Sequence, residues 1–385
     1  MSIEVTLDPV RQQKAREYNK LWQRVLFVEL GVSAVLLLVL LFTGASAELA
    51  GILAFPLPWA AALYLLALAL GYGVLMAPLE YYQSFVLPHR YGLSTQSLTG
   101  WLKDEAKSSA LELLLGLCLV VGIYWLMDNV AAFWWLVAAL IVVLLSLFLS
   151  WLTPIVLIPL FFKLKPLEDG ELRGKLMDLA RRAGASINEV FTMDLSSKAT
   201  TANAMLAGLG KSRRVIISDT LLQGYSWEEV EVTLAHELGH HLHRDIPKLV
   251  AIQALVFLLA FYLADLALKA GVAWFSFPGI TDLAALPWLI LVLAVCILAL
   301  HPLLNWYSRR VELAADKKAL ELSDNPGAFI ALMAKLTDQN LQEAEPGRWT
   351  KLLFYDHPTY NERVKLARSY IVIANQAKQS KEANS

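Results

Sequence analysis

His236, Glu237 and His240 stand in the order H-E-x-x-H, within His236-Glu237-Leu238-Gly239-His240. Residues four apart share one helix face, about 6 Å apart along the axis, so both imidazoles can grip a single metal ion with Glu237 beside it. The chemistry this serves is metal-assisted hydrolysis, in which a Lewis acid acidifies water while a carboxylate takes its proton and passes it to the leaving amine. Two surface histidines at a helix end are the bland alternative. With 7 histidines in 385 residues, the pattern arises by accident on the order of once in a hundred such sequences.

A catalytic Zn2+ takes three protein ligands and keeps a fourth position for water, so one more donor is required. Glu312 is the candidate. Asn305, Arg309, Glu312 and Asp316 recur at steps of four, three and four, which puts them on one helical stripe. Alone, that stripe reads as a solvated face on which Arg309 pairs with Glu312. Position favours the ligand reading, because the motif helix runs into an apolar segment soon after His240 and the Glu312 helix emerges from the next one. If the two segments pair as a hairpin, both polar faces meet at one membrane boundary. His243 is the rival third ligand, but two histidines and a glutamate form an established catalytic zinc set. Asp316 would then accept a hydrogen bond from a ligating histidine and fix its tautomer, with Arg309 beside it on the stripe. His241 and His301 read as structural. His357 is a candidate donor to a developing oxyanion, its backbone restricted by Pro358, although a lone histidine is more often structural.

The elements that position these residues lie partly in lipid. The chain is 57% hydrophobic and 17% charged, more apolar than an ordinary soluble domain. Six apolar runs, near residues 25–43, 57–79, 109–127, 131–162, 249–268 and 284–304, suit a hydrocarbon core of about 30 Å. Pro154 and Pro159 make the fourth a candidate for a kink or a re-entrant piece. Lys and Arg gather before the first run, between the second and third and after the fourth, so the positive-inside rule places both termini and the catalytic part in the cytoplasm. Ala45-Ser46-Ala47 resembles a signal-peptide cleavage site, but Glu29 interrupts the preceding apolar stretch, which favours an uncleaved span. Net charge is -1, giving no reason to expect nucleic acid as a partner. Cys118 and Cys296 lie in apolar runs and match no metal or redox spacing.

The chain divides into an N-terminal membrane bundle (1–162), a protease part with the motif helix (163–248), a transmembrane hairpin (249–304), a helical part completing the site (305–374) and a polar, disordered tail (375–385). In the protease part, Leu172, Leu176, Leu179 and Ala183 predict an amphipathic helix stopped by Gly184. Residues 190–193 read as a strand, and 200–205 with 214–218 as a hairpin around Gly208-Leu209-Gly210-Lys211. Ser226 with Glu229 forms a capping box that starts the motif helix. Pro326 starts another helix, to about residue 342.

In His236 to His240, in Glu312-x-x-x-Asp316 within residues 305–316, in Asn203-Ala204, in Ser218-Asp219-Thr220-Leu221-Leu222 and in His357-Pro358 with Glu362-Arg363, the chain resembles the type I CAAX prenyl endopeptidases. These are polytopic zinc proteases related to the heat-shock membrane metalloproteases, and the likeness covers most of the chain. It implies a mainly α, polytopic helical membrane protein of about six or seven spans with a cytoplasmic α+β, gluzincin-like zinc protease domain. It implies one Zn2+ on His236, His240 and Glu312, with Glu237 as base, His357 and Arg363 near the scissile bond, and Asn203 and Ala204 against the peptide backbone. An extended strand at Asn203 independently suits β-strand addition. Met205 departs from the pattern, since the family tends to have an aromatic residue there. Partners are then the bilayer and a peptide or protein substrate at its surface, whether prenyl-type tails or damaged membrane proteins. The rival readings are a transporter with a structural zinc site, suggested by Glu29, Glu112 and Asp265 inside spans, and a non-catalytic scaffold.

Overall fold

The structure is a computed structural model describing residues 6–53, 55–168, 170–185, 187, 189–208 and 214–383. Among them, six helices are long and apolar enough to cross a membrane. The first is α1 (Pro9–Phe42), whose start is capped by the Asp8 carboxylate. Next comes α2 (Ala45–Ile52), eight residues long and so about 12 Å, too short to cross the bilayer as a seventh span. Ser46 is buried and hydrogen-bonds Tyr64 and the Ala284 carbonyl, so Ala45-Ser46-Ala47 is a packed part of the bundle.

The second span joins α3 (Leu57–Glu80) to α4 (Leu87–Arg90) through a π-helical turn at Tyr81–Val86. The third is α5 (Leu98–Asn129), and the fourth joins α6 (Trp134–Leu152) to α7 (Ile158–Phe161) through a second π-helical turn, Thr153–Leu157. Pro154 and Pro159 offer no N–H to the ladder, which widens locally instead of breaking. The long fourth run is therefore one continuous helix, Trp134–Phe161, long and apolar enough to cross as a single span.

The water-facing part begins with β1 (Leu164–Pro166), α8 (Glu171–Arg182), β2 (Glu189–Met193), β3 (Ala204–Ala207), β4 (Arg214–Ser218), α9 (Asp219–Gly224) and α10 (Trp227–His243). Its sheet runs β1-β2-β4-β3, with β2 and β4 parallel and both outer pairs antiparallel. The sequence reading extends the third strand back to Thr200, but in the structure it starts at Ala204. Thr200 gives its N–H to Leu93 and its hydroxyl to Gly92, so the backbone at Ala199 and Thr200 binds a loop of the membrane bundle instead of β4. Gly208 follows β3, whereas Leu209, Gly210 and Lys211 lie outside the described residues.

Two further spans form a hairpin of α11 (Asp245–Phe275) and α12 (Leu286–Ser323). At the end of the hairpin remote from α10, a Cβ on Gly271 would come within 2.4 Å of Trp288. Only glycine admits that indole, whose Nε1 donates to Ala267 O at 2.8 Å. Asp265 is buried and accepts from Trp134 Nε1 at 2.7 Å and Lys269 Nζ at 2.6 Å. This in-span carboxylate braces α6 against α11, which removes it from the features favouring a transport path.

The chain closes with α13 (Pro326–Gln339), α14 (Arg348–Phe354) and α15 (Tyr360–Ala383). The expected disordered tail is instead helical to Ala383, because α15 is anchored by buried Val364 and Ala367 and continues into good helix formers such as Gln, Ala and Lys. One hydrophobic core unites α8, the sheet, α10, the end of α12, α13 and α15, through buried Leu179, Val215, Leu238, Leu320, Phe329 and Ala367.

Candidate active site

The capping box forms as the sequence predicts: Ser226 Oγ accepts from Glu229 N, and Glu229 Oε2 accepts from Ser226 N at 2.7 Å and from Lys335 Nζ at 2.7 Å. Thirteen residues later α10 crosses α12 with no side chain between them at Gly239, where a Cβ would stand 3.0 Å from Ala315 O and 3.1 Å from its Cα. That approach carries Glu312 and Asp316 onto the His236 and His240 face. Gly239→Ala must separate the two helices, so a loss of about 1–3 kcal/mol is expected in denaturant unfolding, together with weaker metal binding.

Donor atoms of His236, His240 and Glu312 all lie within 4.8 Å of one another. The two Nε2 atoms are 3.2 Å apart, and each is 3.3 Å from a Glu312 oxygen. Each Nδ1 faces a buried carboxylate. His240 Nδ1 lies 3.0 Å from Asp245 Oδ2, and His236 Nδ1 lies 2.9 Å from Asp316 Oδ1 at a poor hydrogen-bond angle. With the ring protons placed on Nδ1 by these partners, both Nε2 atoms present bare lone pairs to the same point. Glu312 Oε2 is also buried without a hydrogen-bond donor. Such a convergence of lone pairs is costly without a cation, and its donors fit a metal ion. Burial pulls the His236 imidazole down, but Asp316 and Glu312 outweigh it and push its pKa up to about 10 without metal. The added proton marks where positive charge is wanted.

Asp316 is fully buried and also receives a bidentate contact from Arg363, through Nε at 2.7 Å and Nη2 at 2.8 Å. Asp316→Asn keeps the shape but leaves Arg363 without its counter-charge and His236 without its anchor. An affinity loss of about 10–100-fold for metal is expected, measurable by competition with a chelator of known affinity.

Glu237 accepts from Leu206 N on β3 at 3.1 Å. It lines a cleft of about 580 Å3 that also takes in Asn203, Ala204, Met205, His357 and Arg363, with apolar walls from Phe162, Leu195 and Leu332. Asn203 precedes β3, with its carbonyl accepting from Ser218 N at 2.9 Å and its N–H donating to Ser218 Oγ at 3.0 Å. By antiparallel alternation Met205 then faces β4, which leaves the main chain of Ala204 and Leu206 on the open edge.

His357 Nε2 stands 3.5 Å from Glu312 Oε2, with its Nδ1 2.8 Å from Asp356 Oδ1. Burial works against its charge, but the Asp356 hydrogen bond and the Glu312 field prevail and raise its pKa. The ring is half exposed, so solvent weakens that pull. Arg363 Nη2 is 3.6 Å from Glu312 Oε2. Arg309, expected beside Asp316, does not touch the cluster: it donates to the carbonyls of Lys351 and Tyr355, while Asn305 donates to Leu353 O at 2.8 Å. Both hold the segment that carries His357, because a helix C-terminus offers unpaired carbonyls to such donors. His243, His241 and His301 stay outside the cluster.

Asp245 is a site residue absent from the sequence reading. It follows the left-handed turn at Arg244 (φ 54°) that ends α10, and this turn swings its carboxylate back to His240. The histidine-to-aspartate spacing of five is the only trace it leaves in sequence. The bond between Glu237 and Leu206 leaves none, since its donor is main chain.

The sequence profile of peptidase family M48 matches residues 166–371, and a profile described as the CAAX prenyl protease N-terminal part, five membrane helices, matches 2–163. Among the described residues of that second stretch the structure has four helices long and apolar enough to span, and the short α2. An uncharacterized metalloprotease of Bacillus subtilis, YhfN, is 32% identical over 72% of this chain and 66% of its own length. A CAAX prenyl protease 1 homolog of Oryza sativa subsp. japonica is 32% identical over 74% of this chain and 68% of its own. The chain thus spans about two thirds of these relatives. The crystal structure of S. mikatae Ste24p superposes with a TM-score of 0.82 at 23% identity, over 95% of this chain and 91% of that one. At that identity the likeness speaks for the fold.

Proposed function

The chain belongs to peptidase family M48, and on that premise we propose that this multi-pass membrane metalloprotease is a zinc-dependent endopeptidase. Its proposed substrates are membrane-associated proteins, with prenylated CAAX-type tails foremost, and the cut is made on the cytoplasmic side. The observation that carries the reading is the convergence of both Nε2 atoms and Glu312 on one point, with Glu237 beside it in the cleft. The substrate class rests on the names of the Oryza sativa relative and of the CAAX prenyl protease 1 of Saccharomyces cerevisiae, 32% identical over 188 residues. The side of the membrane rests on the distribution of Lys and Arg.

His236, His240 and Glu312 would hold the ion, a set that suits zinc. When bound, zinc supplies Lewis-acid chemistry, acidifying water and polarising the peptide carbonyl. The rest falls to the protein. Glu237 Oε2 is held by Leu206 N–H, which leaves Oε1 to take the water proton and deliver it to the leaving nitrogen. The free main chain of Ala204 aligns the peptide as an added strand, with Asn203 beside it. His357 and Arg363 offer N–H donors to the oxygen on which charge develops.

Cleavage of a quenched prenylated CAAX peptide by the purified chain tests the reading. Loss of cleavage with a chelator and its return with Zn2+ support it. Metal binding without any cleavage of this or unprenylated peptides would mean a scaffold or a transporter instead.

A further inference from the structure

We propose that α14 and the turn of α12 at Trp306 lie in the headgroup layer of the membrane and bind anionic phospholipid, each through an arginine–tryptophan pair, fixing the loop that bears His357. Arg310 Cζ sits 4.0 Å from the Trp306 ring centroid on α12, and Arg348 Cζ sits 5.0 Å from that of Trp349 on α14. Both indoles are exposed, Trp306 by 43% and Trp349 by 63%. Neither guanidinium is ion-paired with a carboxylate among the described residues. Indoles at the lipid boundary with unneutralised arginines beside them are what a phosphate-bearing layer recognises.

The depth of α14 follows from its neighbours. Phe354 meets Trp22 at 6.3 Å and Phe27 at 5.9 Å, which bracket the passage of α1 from its basic start, ending at Arg24, into its apolar span. On its other side Asn305, where the apolar run of α12 ends, donates to Leu353 O. Leu303, one turn before Trp306 on α12, and Phe27, which meets Phe354, are apolar and more than half exposed, as residues facing lipid are. The occupant is therefore the bilayer itself, whose phosphates match two arginine cations with no carboxylate partner among the described residues. The same helix runs into Tyr355, whose carbonyl Arg309 holds, and then into His357. Seating α14 in lipid thus sets the position of the His357 ring. The lipid contact does not depend on the proposed reaction taking place, and its test needs no turnover.

The full-length chain in bilayers containing a small, equal fraction of either brominated anionic or brominated zwitterionic phospholipid provides that test, read by tryptophan fluorescence. The anionic lipid is expected to quench more. The excess should disappear in W306F/W349F and fall in R310Q/R348Q, each arginine accounting for up to about fivefold in relative lipid affinity. Equal quenching by both lipids in the parent protein overturns the proposal, and so does an excess that survives R310Q/R348Q. The parent comparison decides even if a variant fails to fold.

Discussion

Glu237→Gln is expected to keep a full complement of metal while turnover of a cleavable peptide falls by about 10²–10⁴-fold, the share of rate a positioned general base supplies. The glutamine oxygen can still accept from Leu206 N–H, now at 3.1 Å from Glu237, so the side chain keeps its place and only its basicity goes. His236, His240 and Glu312 are untouched, and metal analysis of the same sample separates a chemical defect from a binding one. Turnover comparable to the parent would remove Glu237 from the reaction.

The second large effect belongs to Glu312. Glu312→Gln is nearly isosteric, yet it removes the one negative charge lying 3.3 Å from both Nε2 atoms. A lost ligand should cost metal affinity well beyond the 10–100-fold that follows loss of a supporting partner. Stability supplies the readout, because an ion that binds only the folded chain stabilises it by about 2.7 kcal/mol at a hundred times its Kd. Added Zn2+ should raise the unfolding midpoint of the parent and leave that of E312Q unchanged. An equal rise in both would show that Glu312 is not a ligand.

Much of this site was legible because its chemistry rides on helices, whose periodicity converts spacing into geometry. His236 and His240 four apart, and Glu312 and Asp316 four apart, could be placed on faces before any coordinates existed. Hydrophobic length likewise foretold six spans and their order. What spacing could not give were contacts made by main chain or across turns. Asp245 reaches His240 only because Arg244 is left-handed, and Leu206 meets Glu237 through its N–H. The edge strand was displaced for a similar reason, since the loop at residues 92–95 claims the backbone around Thr200. Arg309 shares the stripe of Glu312 but sits a turn nearer the membrane, where the open end of α14 lies instead of the His236 and His240 rings. For the fourth apolar run the prolines left a kink and a break both open, and a π-turn at Thr153–Leu157 absorbs them within one continuous helix.

The zinc K-edge absorption spectrum of the purified chain probes the joint grip of two helices on one ion most directly. Two imidazole nitrogens and a carboxylate oxygen from the protein, on one zinc per chain, is the expected result, with E312Q failing to bind at equimolar zinc. A fully loaded E312Q, or a parent spectrum requiring a third imidazole such as that of His243, would contradict it.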